Sequence, residues 1–218
     1  MIYKIKIQAL FFALLIFVSF TAAQGSVMYD DYFLDFSAID TSKIEREADD
    51  YFTKAAESAS PEERGKYIDI AQSRYYILSQ IDMQQIKYAV QLARIYDYKK
   101  KDRLAKEYFY RAMNLNAYDA HANYYFGEFY FSRKDYKRAL ARYIIAHNNG
   151  LRNKYELNYN MAVIYEKLGD LANAVKYYSA CLAANPPSEE VRAELKQKID
   201  SINELNYNKS EYYYNIRE

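Results

Sequence analysis

The sequence predicts an all-α solenoid of helix-turn-helix repeats with a C-terminal capping helix. Three observations predict it. Ala93, Tyr96, Ala105, Phe109 and Ala112 recur 34 positions on as Gly127, Tyr130, Ala139, Tyr143 and Ala146, and 35 positions after that as Ala162, Tyr165, Ala174, Tyr178 and Cys181. Self-similarity at such a period marks a repeat array. The 218 residues include only five glycines and three prolines, whereas an all-β chain needs turn residues about every 8 to 12 positions. Helix start and stop signals then run through the chain from position 41 onward.

The elements follow in order. Lys4 and Lys6 precede an apolar run from Ala9 to Phe20, and Thr21-Ala22-Ala23 follows it. This is the layout of a secretory signal peptide, residues 1–23, cleaved after Ala23. The run is shorter than the ~20 residues needed to span a bilayer, and no cysteine near the cleavage point offers an acylation site. Residues 24–42 read as an acidic, aromatic linker, with Thr41 or Ser42 capping the next helix and Glu45 completing a capping box. Residues 43–85 form a degenerate helical hairpin. Its arms are Lys43 to Ser58 and, after the Ser60-Pro61-Glu62-Glu63 start, a helix to about Gln80. Regular units follow at 86–119, 120–153 and 155–188. Each is divided by a turn: Lys99 to Asp102, Ser132 to Asp135, and Lys167 to Asp170. The extra residue before the third unit falls near Asn148-Asn149-Gly150, where Asn and Gly tolerate left-handed backbone. Asn185-Pro186-Pro187 stops the third unit. Ser188-Glu189-Glu190 starts a polar capping helix over 189–205, and a Tyr-rich tail, 206–218, is expected to fray or order against a neighbour.

Composition narrows the function. The net charge of +1 becomes −1 on removal of the leader, which leaves no electrostatic footprint for nucleic acid. Nor is there a polybasic block for anionic lipid. One cysteine, Cys181, makes no internal disulfide, excludes Cys-rich zinc sites, and reads as a small buried hydrophobe. Two histidines, His121 and His147, lie far apart. The sequence contains no His-Glu-x-x-His, phosphate loop or nucleophile elbow. No enzyme, no cofactor and no metal site is therefore expected. Asn208-Lys209-Ser210 is a glycosylation sequon, meaningful only in a eukaryotic secretory pathway.

At these residues the chain resembles the tetratricopeptide repeat (TPR) family. Asn160-Met161-Ala162, Tyr165, Gly169-Asp170, Ala174, Tyr178 and Pro186 carry the likeness best. The second unit has Lys134 at the turn glycine. The first has Lys100 there and Ala117 in place of the terminal proline, and the usual early Trp is absent from all three units. The resemblance implies a right-handed superhelical solenoid. Its small residues let helices approach and its aromatics, Tyr96, Phe109, Tyr130, Tyr143, Tyr165 and Tyr178, fill the grooves beside them. It also implies that the first helix of each hairpin lines a concave groove. By offset, the candidate partner-binding residues are Lys87, Val90, Arg94 and Tyr98, then His121, Tyr124, Glu128 and Phe131, then Glu156, Tyr159, Val163 and Glu166. Tyr124, Phe131 and Tyr159 are the expected anchors, and Arg94 is suited to fork a partner carboxylate. One subgroup of the family clamps a C-terminal carboxylate, but Val90, Arg94, Glu156 and Asn160 preserve only fragments of that clamp. The expected role is an exported, periplasmic or extracellular, non-catalytic scaffold that binds a protein or peptide. Two alternatives stand beside it: an envelope assembly factor held at a membrane by an uncleaved leader, and a structural protein that self-associates through its tail.

Overall fold

The chain threads back and forth as antiparallel helix pairs, each laid against the one before it. The computed structural model describes residues 39–184 and 186–215, with side chains as far as residue 205. The predicted leader, 1–23, and all but the end of the linker lie outside the described residues. Among those described there are nine helices: α1 Thr41–Glu57, α2 Pro61–Ile81, α3 Ile86–Tyr98, α4 Asp102–Leu115, α5 Ala120–Phe131, α6 Tyr136–Ala146, α7 Tyr155–Lys167, α8 Leu171–Ala183 and α9 Glu189–Asn215. Hairpins α1–α2, α3–α4, α5–α6 and α7–α8 stack in sequence, and α9 packs on α8.

Side-chain caps start most of the helices. Ser60 accepts from the Glu63 amide with Pro61 in the first turn, Asp119 from Ala122, Asp135 from Arg138 and Asp170 from Asn173. Ser188 accepts from Val191 at 3.3 Å. Each cap satisfies an amide that the helix leaves without a partner. The capping box expected at Ser42 and Glu45 does not form. Both Thr41 and Ser42 lie inside α1, and the Glu45 carboxylate turns to Lys87 Nζ, 2.6 Å, and the Tyr88 hydroxyl, 3.0 Å.

The three turns within hairpins share one geometry. Lys100, Lys134 and Gly169 have φ of 58°, 60° and 79°. The next residue's amide reaches back to Tyr96, Tyr130 or Tyr165, at 2.9, 3.0 and 2.9 Å. Lys100, Lys134 and Gly169 themselves bond to Asp97, Phe131 and Glu166. This paired closure terminates a helix through one left-handed residue, and two of the three turns achieve it without glycine. The predicted extra residue near Asn149 is taken up by a wide turn over His147–Leu151, in which Gly150 has φ 128°.

The core has two buried clusters. One joins Ala48, Ala55, Ile68, Ala71, Tyr75 and Leu78 to one side of α3, at Tyr88, Leu92 and Ile95. The other begins on α3 at Ala89, Val90 and Ala93 and runs to Leu195 and Ile202 of α9. Phe109, Tyr143 and Tyr178 are buried as expected, as is Tyr130, whereas Tyr96 and Tyr165 are half-buried. Cys181 is fully buried and its Sγ faces the Tyr155 carbonyl at 3.8 Å. Burial pushes its thiol up to about 12. The capping helix departs from expectation: α9 continues to Asn215, past the predicted end at Leu205 and through most of the segment read as a frayed tail.

Candidate functional site

The first helices of the hairpins, α1, α3, α5 and α7, with α9 after them, carry a chain of polar contacts from one end of the array to the other. At its N-terminal end Lys87 bridges Glu45, 2.6 Å, and Asp49, 2.8 Å. Hydrogen bonds to Asp49 and Glu45 raise its pKa, against a desolvation that lowers it. The Tyr75 hydroxyl donates to Asp49 and receives a bond from Gln91 Nε2 at 3.4 Å. Two hairpins on, the Tyr143 hydroxyl donates to Glu128 at 2.5 Å, and Asn160 Nδ2 bonds both of them, at 2.7 and 3.3 Å. The Tyr178 hydroxyl donates to Glu166 at 2.7 Å, and Lys198 of α9 pairs with the same carboxylate at 3.2 Å. Burial and the adjoining carboxylates push all three phenols far above the ordinary tyrosine value.

The second hairpin breaks this pattern. Phe109 stands where the others have tyrosine and brings no hydroxyl. Arg94 occupies the offset of Glu128. Its guanidinium lies 4.6 Å from the Phe52 ring of α1 and 4.0 Å from the Tyr125 ring of α5. Nη1 donates to Gln91 Oε1 at 2.7 Å. No carboxylate pairs with Arg94 among the described residues, and burial lowers its pKa from the ordinary arginine value. A cleft of about 360 Å³ opens over it, lined by Ile86, Lys87, Val90, Gln91, Arg94, Asp119, His121 and Tyr125. A second cleft, about 470 Å³, lies between α7 and α9 and includes Tyr155, Tyr159, Glu194 and Lys198.

These contacts sort the sequence-predicted residues. Lys87, Val90, Arg94 and His121 meet in the first cleft, and Tyr159, 37% exposed, lines the second. Tyr124 does not stand free as an anchor. It is 7% exposed, packed against Tyr125 and Tyr143, with the Lys154 ammonium 4.9 Å from its ring. Phe131 is likewise engaged, by Tyr136 and Tyr143, and Val163 is half-buried against the core. Glu128 and Glu166 hold buried tyrosines, and Glu156 pairs with Lys154 at 2.9 Å. Tyr98 is 45% exposed and belongs to neither cleft. Sequence reasoning missed Gln91, Tyr125 and Asn160. All three share one offset, and Gln91 is four residues past Lys87 and three before Arg94, the spacing that places side chains on one helical face.

No helix among the described residues is long and apolar enough to cross a membrane. Nor do those residues contain a group of three or more His, Cys, Asp or Glu able to hold a metal ion.

Comparison with known proteins bears on the fold. The chain matches no curated protein sequence. It is similar in fold to the solved structure of PilW, a widely conserved type IV pilus biogenesis factor, with TM-score 0.59 and 20% identity over 82% of this chain and 78% of that one. PilF of Pseudomonas aeruginosa gives TM-score 0.58 and 20% identity over 79% and 76%. YrrB, a TPR protein with an unusual peptide-binding site, gives 0.50 and 16% over 74% and 87%. At these identities the likeness establishes architecture alone. The tetratricopeptide repeat family matches residues 86–119 and 155–188. Residues 86–119 and 155–188 thus match the tetratricopeptide repeat, and the helical stack that holds them shares its fold with the solved structures of PilW and PilF.

Proposed function

We propose that the protein is an exported, non-catalytic scaffold that holds a segment of a protein partner against its inner face, with Arg94 as the fixed point of recognition. One observation carries this reading: Arg94 is a half-buried guanidinium, clamped between two aromatic rings, in a cleft where the other cation, Lys87, is already neutralised by Glu45 and Asp49. Stacking fixes the planar group and leaves its outer edge to receive a carboxylate in two-point geometry. His121 and Val90 would flank the incoming group, and Tyr159 would give an aromatic contact further along. The peptide-binding description of YrrB and the pilus-assembly description of PilW belong to those proteins, and both are compatible with a binding role here.

Arg94→Gln keeps the hydrogen bond to Gln91 possible and removes the charge. Partner recovery in a quantitative pull-down is expected to fall about tenfold or more, as for loss of a charge-assisted hydrogen bond, in a variant whose native helix content is verified by circular dichroism. Unchanged recovery would move the site elsewhere. Export is tested by the mass of the mature chain. A start at Gln24 supports cleavage of the leader, and a start at Met1 supports the membrane-anchored alternative.

A further inference from the structure

The second helices of the three regular hairpins, α4, α6 and α8, carry seven Lys and Arg side chains against two acids. The first helices, α3, α5 and α7, carry three against four. The excess collects in two clefts. Between α4 and α6, about 540 Å³ is lined by Lys106, Tyr110, Tyr130, Arg138, Ala141, Arg142 and Ile145. Beyond the wide turn, about 790 Å³ includes His147, Arg152, Lys176 and Tyr177. Neither lining contains a carboxylate, whereas both inner-face clefts contain one, Asp119 or Glu194.

The cations are set against rings. Arg142 lies 5.0 Å from Phe126, Arg138 5.6 Å from Tyr130, Lys106 5.9 Å from Phe129 and Lys176 5.3 Å from Tyr177. Arg138 reaches Asp135 at 3.2 Å, while Lys106, Arg142, Arg152 and Lys176 form no ion pair among the described residues. Arg142 donates to Asn123 Oδ1 and Met113 Sδ. A ring contact holds each cation in place and leaves its N–H groups free to take up a carboxylate through a charge-assisted hydrogen bond.

We propose that this outer face is a second interaction surface, which takes an acidic peptide segment of a partner protein with carboxylates beside an aromatic residue. The carboxylates enter the two clefts, and Tyr110, 49% exposed at the first, offers the ring contact. Arg138, Arg152 and Lys176 are exposed, while Arg142 is half-buried beside the Phe126 ring, a depth that an inserted carboxylate side chain reaches. The surface is separate from the Arg94 cleft, so one molecule can join two partners.

Fluorescence anisotropy of a labelled synthetic peptide of alternating aspartate and tyrosine tests this. Wild-type protein is expected to bind it, and Lys106→Gln with Arg138→Gln to weaken binding about tenfold or more, the loss typical of close charge pairs. Arg94→Gln should leave this binding unchanged, which separates the result from that of the inner face. Should the double variant melt early, Lys176→Gln gives the same readout from the second cleft. Equal binding of the asparagine–tyrosine peptide, or wild-type affinity in the folded variants, would overturn the proposal. So would phosphatidylglycerol vesicles that retain the wild-type protein but not the double variant while the peptide stays free.

Discussion

At the scale of single residues, the repeat spacing encodes contact distance. A Cβ added at Gly127 would lie 2.4 Å from the Tyr143 ring, so the ring rests directly on the backbone of α5. Ala93 and Ala162 fill the same offset in the neighbouring units. Gly127→Ala must therefore displace a fully buried tyrosine whose hydroxyl is tied to Glu128 and Asn160. A destabilisation of about 2–3 kcal/mol is expected from overpacking, measured by denaturant unfolding against wild type, and a loss below about 0.5 kcal/mol would show that the ring can move aside. The small-aromatic alternation was legible in the sequence, but the carboxylates that receive the tyrosine hydroxyls were not. Glu128 and Glu166 sit at different offsets, about one helical turn apart, and still do the same job. Aligning units by offset hides an equivalence that the helix restores. For the same reason Tyr124 and Tyr159 share an offset but not a role: a neighbouring helix and Lys154 cover the first, while the second borders a cleft.

Helices and turns were more readily legible. Caps at Ser60, Asp119, Asp135, Asp170 and Ser188 are short-range chemistry, which a sequence displays directly. The first unit shows how one residue changes the outcome. Its acid, Asp102, lies one place beyond the capping position, which Lys101 occupies without a side-chain bond. Asp102 instead forms a two-point pair with Arg133, 2.9 and 2.6 Å, while Arg133 also reaches Asp97 at 2.7 Å and tethers one hairpin's turn to the previous hairpin. The sequence reading ends α9 at residue 205, yet after Pro187 the sequence contains no glycine or proline, so nothing local ends the helix. Lys100 and Lys134 show a cost carried by turns. Each holds a left-handed conformation that glycine adopts freely. Lys134→Gly is expected to add up to about 1 kcal/mol of stability, the relief of left-handed strain less glycine's greater freedom when unfolded. Thermal denaturation would register it as a raised melting temperature, and a lowered one would mean that the lysine side chain contributes more than its backbone costs.

Across the whole molecule, stability is repeated along an array, and so is its weakness to alkali. Tyr75, Tyr143 and Tyr178 have folded-state pKa values raised above the ordinary 10.0, by burial first and by hydrogen bonds or fields from Asp49, Glu128 and Glu166. A group whose pKa is raised on folding stabilises the fold fully below its unfolded value and loses that contribution as pH climbs past it. The protein is thus expected to keep its stability up to about pH 10 and to lose it above, with exposed tyrosines such as Tyr98, Tyr110 and Tyr118 ionising first and a late fraction of the tyrosinate absorbance appearing together with helix loss by circular dichroism. Complete tyrosine ionisation while the helix signal stays native would show the buried hydroxyls to be solvated.

The two buried clusters meet on α3, and that seam has a thermodynamic consequence. Phe52 belongs to the first hairpin and Tyr125 to the rest of the array, so the Arg94 sandwich spans the joint between them. Parting the first hairpin from its neighbours would dismantle the sandwich before any core residue of α5 or α7 is exposed. Occupancy of the cleft and docking of that hairpin are then linked equilibria. A ligand held by Arg94 tightens the joint by as much as an intact joint tightens the ligand.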